Sequence, residues 1–254
     1  MSAQEHDEDL WLAARTCMFP ASSFAAGPAE VAAVLSLAAT PRGATVLDLA
    51  CGPGRHALPL ARAGYQVVAV DRTAAYLGEL RAALGAEAER RGRPLVAELV
   101  HEDMRSFCRP QAFDLALCLY HSLGCFQDPA DDRRVLDNLL ASLRPGGALV
   151  VQLVGSETLQ RDFQPHSETL LEDETTLIQQ RRPNEDWTWM EVRWTFARDG
   201  ERREFDLSHR IYSGQGLQAA LLAAGFASVA LSGGYDGRPY AADSENLVAL
   251  ARVT

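Results

Sequence analysis

Residues 46–71, VLDLACGPGRHALPLARAGYQVVAVD, hold the pattern that decides the fold. Their start belongs to a short apolar run, TVLDLA (45–50), which has the length of a strand and not of a helix. Gly52 and Gly54 then permit a sharp turn. An amphipathic stretch at about 55–63 reads as a helix, and QVVAVD (66–71) reads as a second strand. Strand, glycine turn, helix and strand form a unit whose two strands lie parallel. Toward the C-terminus the alternation continues through LVAELV (95–100), FDLALCL (113–119) and ALVVQLV (148–154). Helices are predicted at about 73–91 and 131–143, the second stopped by Arg144-Pro145-Gly146-Gly147. Five parallel strands covered by helices are therefore the expected α/β core. Toward the N-terminus, Gly27 to Ala39 predicts a helix on the sheet edge, with Pro28 at its start and Val31, Val34 and Leu35 as its apolar face.

After Val154 the period changes. Residues of about 168–212 are rich in Thr, Trp and Arg and alternate every two residues, which argues for antiparallel strands. A two-residue turn at Asp199-Gly200 would set Val192 opposite Leu207, Trp194 opposite Phe205, Arg193 opposite Asp206, Trp189 opposite Arg210 and Trp187 opposite Tyr212. Apolar then meets apolar and opposite charges meet, so one register satisfies both faces. Met190, Val192, Trp194, Phe196, Phe205, Leu207 and Ile211 form the expected core face. The other face presents Trp187, Trp189, Glu191, Arg193, Asp206, Arg210 and Tyr212. A helix at 214–226 and strands at about 228–232 and 246–252 complete the pattern, the strands flanking the loop GGYDGRPYAADSEN. The organisation expected is a single domain over 1–254, with an N-terminal helical cap (1–42) and an antiparallel insertion (about 160–212).

Composition narrows the chemistry. With 254 residues and 47% hydrophobic content, the chain can bury a full core. All 24 of its basic residues are arginine. Without lysine there can be no Walker-type phosphate loop and no Schiff base. A net charge of -10 disfavours nucleic acid as a partner. The five cysteines include no C-x-x-C, and the six histidines show no zinc spacing, so reduced thiols and no metal are expected. An acidic N-terminus and the lack of an apolar run near the length of a bilayer span predict a cytoplasmic protein that makes no membrane contact.

The glycine loop supports two readings. As G-x-G-x-x-A it fits a dinucleotide, whose pyrophosphate would sit on backbone N–H groups at a helix N-terminus. As D-x-x-x-G-x-G it fits a cofactor that brings an ammonium group, because the Asp48 carboxylate attracts an amine and repels a pyrophosphate. At the next strand tip Asp71 can accept both hydroxyls of a ribose, a feature that NAD and adenosyl ligands share. In HEDMRSF, Asp103 can accept from an adenine amine while the N–H of Met104 donates to the ring.

With these pieces in order, the chain resembles the class I S-adenosylmethionine-dependent methyltransferases. The resemblance rests on residues 46–71, on HEDMRSF, FDLALCLYHSLGCF and LRPGGALVVQLV, and on the closing AGF…LVALARV. It is nearest to small-molecule members with an antiparallel insertion after the fifth strand, including N-methyltransferases of amino sugars and glycine-type acceptors. The resemblance implies a Rossmann-like sheet of order 3-2-1-4-5-7-6 with its last strand antiparallel. It also implies S-adenosyl-L-methionine as cofactor. Asp48 and the backbone of Ala50, Cys51, Gly52 and Gly54 would surround the methionine part, Asp71 the ribose, Asp103 and Met104 the adenine. Leu119-Tyr120-His121-Ser122 would lie beside the sulfonium. Two residues depart from the pattern: Pro59 should shorten or distort the first turn of its helix, and Arg72 stands where an apolar residue commonly flanks the adenine, on which its guanidinium could stack.

The expected reaction is methyl transfer to N or O of a small-molecule acceptor. His121, just past the fourth strand, is the candidate base or acceptor-orienting group, and Tyr120 is the second candidate. Trp11, Phe19 and the Tyr235–Tyr240 loop should roof the acceptor pocket, with Trp11, Tyr235 and Tyr240 touching the acceptor. The exposed aromatic face of the insertion suits a homodimer contact. Two other functions compete, an NAD(P)-dependent oxidoreductase, with Arg72 on an NADP phosphate, and a non-catalytic adenosyl-binding module.

Overall fold

The central strands are apolar on both faces but for a few polar residues such as Asp48 and Gln152, and such strands are stable only when a sheet is covered on its two faces. The computed structural model describes residues 8–254 and builds that sheet from seven strands. In chain order the elements are α1 (Glu8–Ala13), α2 (Arg15–Met18), α3 (Ala21–Leu37), β1 (Thr45–Leu49), α4 (Ala57–Arg62), β2 (Gln66–Asp71), α5 (Ala74–Arg91), β3 (Ala97–His101) and β4 (Phe113–Cys118). There follow α6 (Pro129–Ser142), β5 (Leu143–Leu153), α7 (Ser156–Arg161), β6 (His166–Leu170), β7 (Thr176–Pro183), β8 (Trp189–Arg198) and β9 (Glu201–Arg210). The chain closes with α8 (Gly214–Ala224), β10 (Ser228–Ser232) and β11 (Leu247–Arg252).

The large sheet runs β10-β11-β5-β4-β1-β2-β3, which is the expected 3-2-1-4-5-7-6 order with β11 as the antiparallel strand. Alternate residues enter opposite layers. Leu47, Leu49, Val68, Val70, Leu149 and Val151 meet Leu136 and Leu139 of α6 and Leu217 and Leu221 of α8. Val46, Val67, Ala69, Leu115, Leu117 and Val150 meet α3, α4 and α5 through Val31, Val34, Leu60, Leu77 and Leu80.

Two expectations on the N-terminal side change, and one about α4 holds. The first helix of the sheet layer begins at Ala21 and not at Gly27, because the Ala- and Ser-rich turn ahead of Pro28 is already helical and Pro20 sits at its N-cap. Pro28 lies inside α3, and the adjoining Gly27 lets α3 approach the glycine loop, since a Cβ there would stand 2.5 Å from the Arg55 carbonyl oxygen. Arg15–Leu37 as a whole is long and apolar enough, by length and composition, to cross a membrane, although no run in the sequence stood out as such. In the fold Gly27, Val31 and Val34 of this stretch are buried, the two valines in the layer that also holds Leu60 of α4. Pro59 has the expected effect: α4 is six residues long, and Arg55 and His56 stay in the turn before it.

The second sheet is antiparallel, in the order β6-β7-β8-β9. Asp199 and Gly200 both have positive φ (51° and 84°), as a type I′ turn requires. Val192 pairs with Leu207, Arg193 with Asp206, Trp194 with Phe205 and Trp189 with Arg210. Trp187 does not pair with Tyr212: the chain turns at Asn184–Trp187, and the Trp187 ring packs edge-on against Phe163 beside the insertion core. Met190, Val192, Leu207 and Ile211 close over Leu10 of α1, so the N-terminal cap lies on the inner face of the insertion. The two ends of the inserted segment meet at a neck, where the Ser156 N–H donates to the Tyr212 carbonyl at 2.9 Å.

Candidate active site

Three strand ends converge on the glycine loop. Asp48, on β1, is 2% exposed, and its Oδ2 is buried with no hydrogen-bond partner. Burial pushes its carboxyl up to about 6; the His56 charge works against this and the Asp71 charge adds to it. A buried carboxylate oxygen without a donor is costly, and an ammonium group would satisfy it. Beside it Ala50, Gly52 and Gly54 all have positive φ (59°, 54° and 90°), so the loop folds away from the sheet and Cys51 is buried beneath it. The N–H of Cys51 is taken by the Val70 carbonyl. Gly52 has no room for a side chain, because a Cβ would lie 2.5 Å from the Phe19 ring, which closes over the loop from the N-terminal cap.

Asp71, at the end of β2, accepts from the Gly52 N–H through Oδ2 and from the Thr73 N–H through Oδ1, each at 2.8 Å. The Thr73 hydroxyl also donates to this carboxylate, so of its roughly four acceptor sites one is left for a ligand hydroxyl. Burial nevertheless raises its pKa, the two backbone bonds, the Thr73 hydroxyl and the Arg72 charge opposing the shift. At the β3 tip Asp103 is bidentate to Arg105 (2.8 Å between Oδ2 and a guanidinium N) and accepts from the Arg105 N–H. Burial raises its pKa, but those bonds outweigh it and hold the carboxyl below its usual value. Met104 is buried under this turn. Arg72 stacks on Trp11, with 5.6 Å between guanidinium carbon and ring centroid. Trp11 is itself anchored, its carbonyl accepting from the Tyr76 hydroxyl.

A polar cluster that sequence reasoning missed joins α3 to this loop. Glu30 accepts from an Arg55 guanidinium N at 2.5 Å, from the Tyr120 hydroxyl at 2.9 Å, and lies 3.0 Å from His56 Nε2. Burial opposes ionisation of Glu30, yet the bonds to His56 and Tyr120 and the Arg55 charge bring it down to about 2. Arg55 also donates to the Tyr120 hydroxyl, and its guanidinium carbon sits 3.6 Å from that ring's centroid. One signal was available: Glu30 is the sole acidic residue between Asp9 and Asp48.

Leu119 is buried at the end of β4, and the next two residues, Tyr120 and His121, are both left-handed (φ 56° and 59°). The turn sends their side chains to different neighbours. Tyr120 reaches the Glu30–Arg55 pair, and burial followed by the Glu30 bond pushes its hydroxyl up to about 12. His121 faces the insertion. Burial, with the His209 charge from β9 as a second cause, pushes its imidazole down to about 4, so the ring is neutral above that pH. Val154 N–H donates to His121 Nδ1 at 3.4 Å, which leaves the proton on Nε2. The ring therefore carries its donor on Nε2.

Of the predicted roof, Trp11 and Phe19 lie over the strand tips. Trp11 Nε1 and the Tyr235 hydroxyl are buried without a partner, while Tyr240 donates to Glu157 at 2.8 Å and so braces α7. The described loop thus separates Tyr235, beside the Glu30–Arg55–Tyr120 charges, from Tyr240. A cavity of about 670 Å³ opens instead on the insertion's outer face, lined by residues including Gln127, Arg182, Trp189 and Arg193, and shares no residue with the strand tips.

Residues 46–147 match a family described as methyltransferase domain. The CcbJ methyltransferase of Streptomyces caelestis superposes with a TM-score of 0.74 at 22% identity, covering 90% of each chain. This chain has the class I methyltransferase fold. A second methyltransferase structure, of an amino pentose methyltransferase from Micromonospora echinaspora with SAM bound, gives a TM-score of 0.63 at 23% identity over 91% of this chain and 92% of that one. In sequence, the methyltransferase core is 33% identical over 113 residues to a dTDP-3-amino-3,6-dideoxy-alpha-D-glucopyranose N,N-dimethyltransferase of Streptomyces fradiae, covering 44% of this chain and 40% of that protein. It is 31% identical over 116 residues to the glycine N-methyltransferase of Mus musculus, covering 42% and 39%. The match therefore spans about two fifths of these relatives' length.

Proposed function

We propose that this chain is an S-adenosylmethionine-dependent methyltransferase that acts on an amine of a small molecule, of the amino-sugar or amino-acid class. The observation that carries the reading is the buried, unpartnered Oδ2 of Asp48 beside a loop of three positive-φ residues: it suits a ligand that brings an ammonium and disfavours a pyrophosphate. That same feature counts against an NAD(P) cofactor. The relatives named for glycine and amino-sugar N-methylation favour nitrogen over oxygen.

Bound there, S-adenosylmethionine supplies a methyl group already activated by a sulfonium. Asp48 would hold its ammonium, the remaining acceptor site of Asp71 a ribose hydroxyl, and the turn carrying Asp103 and Met104 its adenine, with Arg72 and Trp11 stacked at the edge. The protein's remaining work is alignment and exclusion of water. Phe19 and Trp11 close the cleft. His121, neutral with its proton on Nε2, donates to a polar atom of the acceptor and orients it; its Nδ1 lone pair is occupied by Val154 N–H, which favours orientation over proton removal. A neutral amine acceptor needs no base in the transfer step. The Trp189 face of the insertion is assigned to a second copy of the chain, and sedimentation of a Trp189→Glu variant tests that contact.

The decisive experiment is calorimetric titration with S-adenosylhomocysteine, beside an Asp71→Ala variant and an NADPH control. Saturable binding that weakens tenfold or more in the variant supports the reading. Heat from NADPH alone overturns it.

A further inference from the structure

Gln152 is the polar residue in the otherwise apolar strand run ALVVQLV, and it is 4% exposed in the middle of the large sheet. A buried amide is tolerated only when its donors and acceptor are paired. Here they are. Oε1 accepts from the Tyr120 N–H at 2.8 Å; Nε2 donates to Asn246 Oδ1 at 2.8 Å and approaches the Leu153 carbonyl at 3.5 Å. The backbone carbonyl of the same residue accepts from the His121 N–H at 3.2 Å. One residue thus captures both N–H groups of the Tyr120–His121 pair.

Those two residues are where the chain most needs a restraint. Consecutive left-handed conformations are unfavourable for side chains as large as Tyr and His and persist only where the surroundings over-determine them. Asn246 completes the device. The Tyr120 N–H can only donate, so Gln152 turns Oε1 to it and its NH₂ to Asn246 Oδ1, which holds the amide from the β11 side. Asn246 itself ends the loop that carries Tyr235 and Tyr240.

We propose that Gln152, steadied by Asn246, is a positioning residue that holds the Tyr120–His121 backbone in its left-handed turn and so aims the His121 imidazole at the insertion. The consequence for turnover rests on the methyltransferase reading; the consequence for the ring does not.

The test uses Gln152→Met, which keeps length and apolar packing but removes the acceptor and donor, and Asn246→Leu as a second variant acting from the other end. In the unliganded protein, ¹H–¹⁵N imidazole spectra read the His121 tautomer directly. Both variants are expected to shift or broaden the His121 Nε2–H signal, with Asn246→Asp, which retains the acceptor oxygen, keeping it. With an acceptor in hand, Gln152→Met lowers kcat at least tenfold while the S-adenosylhomocysteine Kd stays within twofold. Added to His121→Ala it produces no further loss, because it acts through that ring. An unchanged His121 spectrum in both variants overturns the proposal, as does an equal kcat loss with and without His121. Failure of every acceptor to be methylated, with the spectral change present, would remove the methyltransferase reading and leave the positioning role standing.

Discussion

Val46 and Leu47 are neighbours on β1 and both are buried, one in each layer of the large sheet. Val192 and Arg193 are neighbours on β8 and part company, the valine packing inward and the arginine pairing with Asp206 in solvent. The large sheet is a wall with a core on either side, and the insertion is a lid with one dry face. A wall can hold strand ends still enough to bury a carboxylate with one unpartnered oxygen, such as Asp48. A one-sided sheet offers instead one dry face and one face in water, so the wall and the lid answer to different physical demands.

The comparison breaks most visibly if both sheets respond alike to cavity formation. Phe113→Ala, in the wall, should cost about 3–5 kcal/mol in urea denaturation and abolish ligand binding with folding. Second in size is Asp48→Asn. The folded-state pKa of Asp48 is raised from 3.8 to about 6, so the folded chain holds its proton more tightly than the unfolded chain does. Its contribution to stability therefore declines as pH rises from about 4 to 6 and stays low above that, a loss on the order of 3 kcal/mol. The variant should melt higher than the parent at pH 7, lack that part of the pH slope, and bind S-adenosylhomocysteine at least tenfold more weakly. Equal stability of the two proteins at pH 7 would show that Asp48 is not strained by burial.

Met190→Ala, in the lid, should cost about 2 kcal/mol, the low end for a buried methionine, and leave S-adenosylhomocysteine affinity within twofold. If cofactor affinity collapses along with stability, lid and wall are one cooperative unit. Smallest is Arg193→Ala: the pair with Asp206 is solvent-exposed on both sides, so the urea midpoint should not move, in low salt or high.

What the sequence revealed follows the same division. The wall could be read because each strand is a local apolar run, and the β8–β9 register because one alignment satisfied two faces at once. Where a cause was not local, reading failed. α3 starts six residues ahead of the expected Gly27, because Pro28 resembles a first-turn proline while the Ala- and Ser-rich residues before it are already helical. Trp187 follows the alternation on paper but takes a positive φ at a turn closed by Asn184. The Glu30–Arg55–His56–Tyr120 cluster draws on three separated segments, and no spacing rule joins them; a lone acid in an apolar helix was the available hint. Gln152 gave a similar hint within its strand.

The bond between Ser156 and Tyr212 holds the two ends of the lid together, so both chain ends leave the wall at adjacent points. A segment attached in this way is a cassette: it can be lengthened, shortened or exchanged for another of different shape while β5 and α8 keep their places. On the proposed reading, a different acceptor would call for a change in one contiguous stretch of gene, with the glycine loop and its carboxylates left untouched.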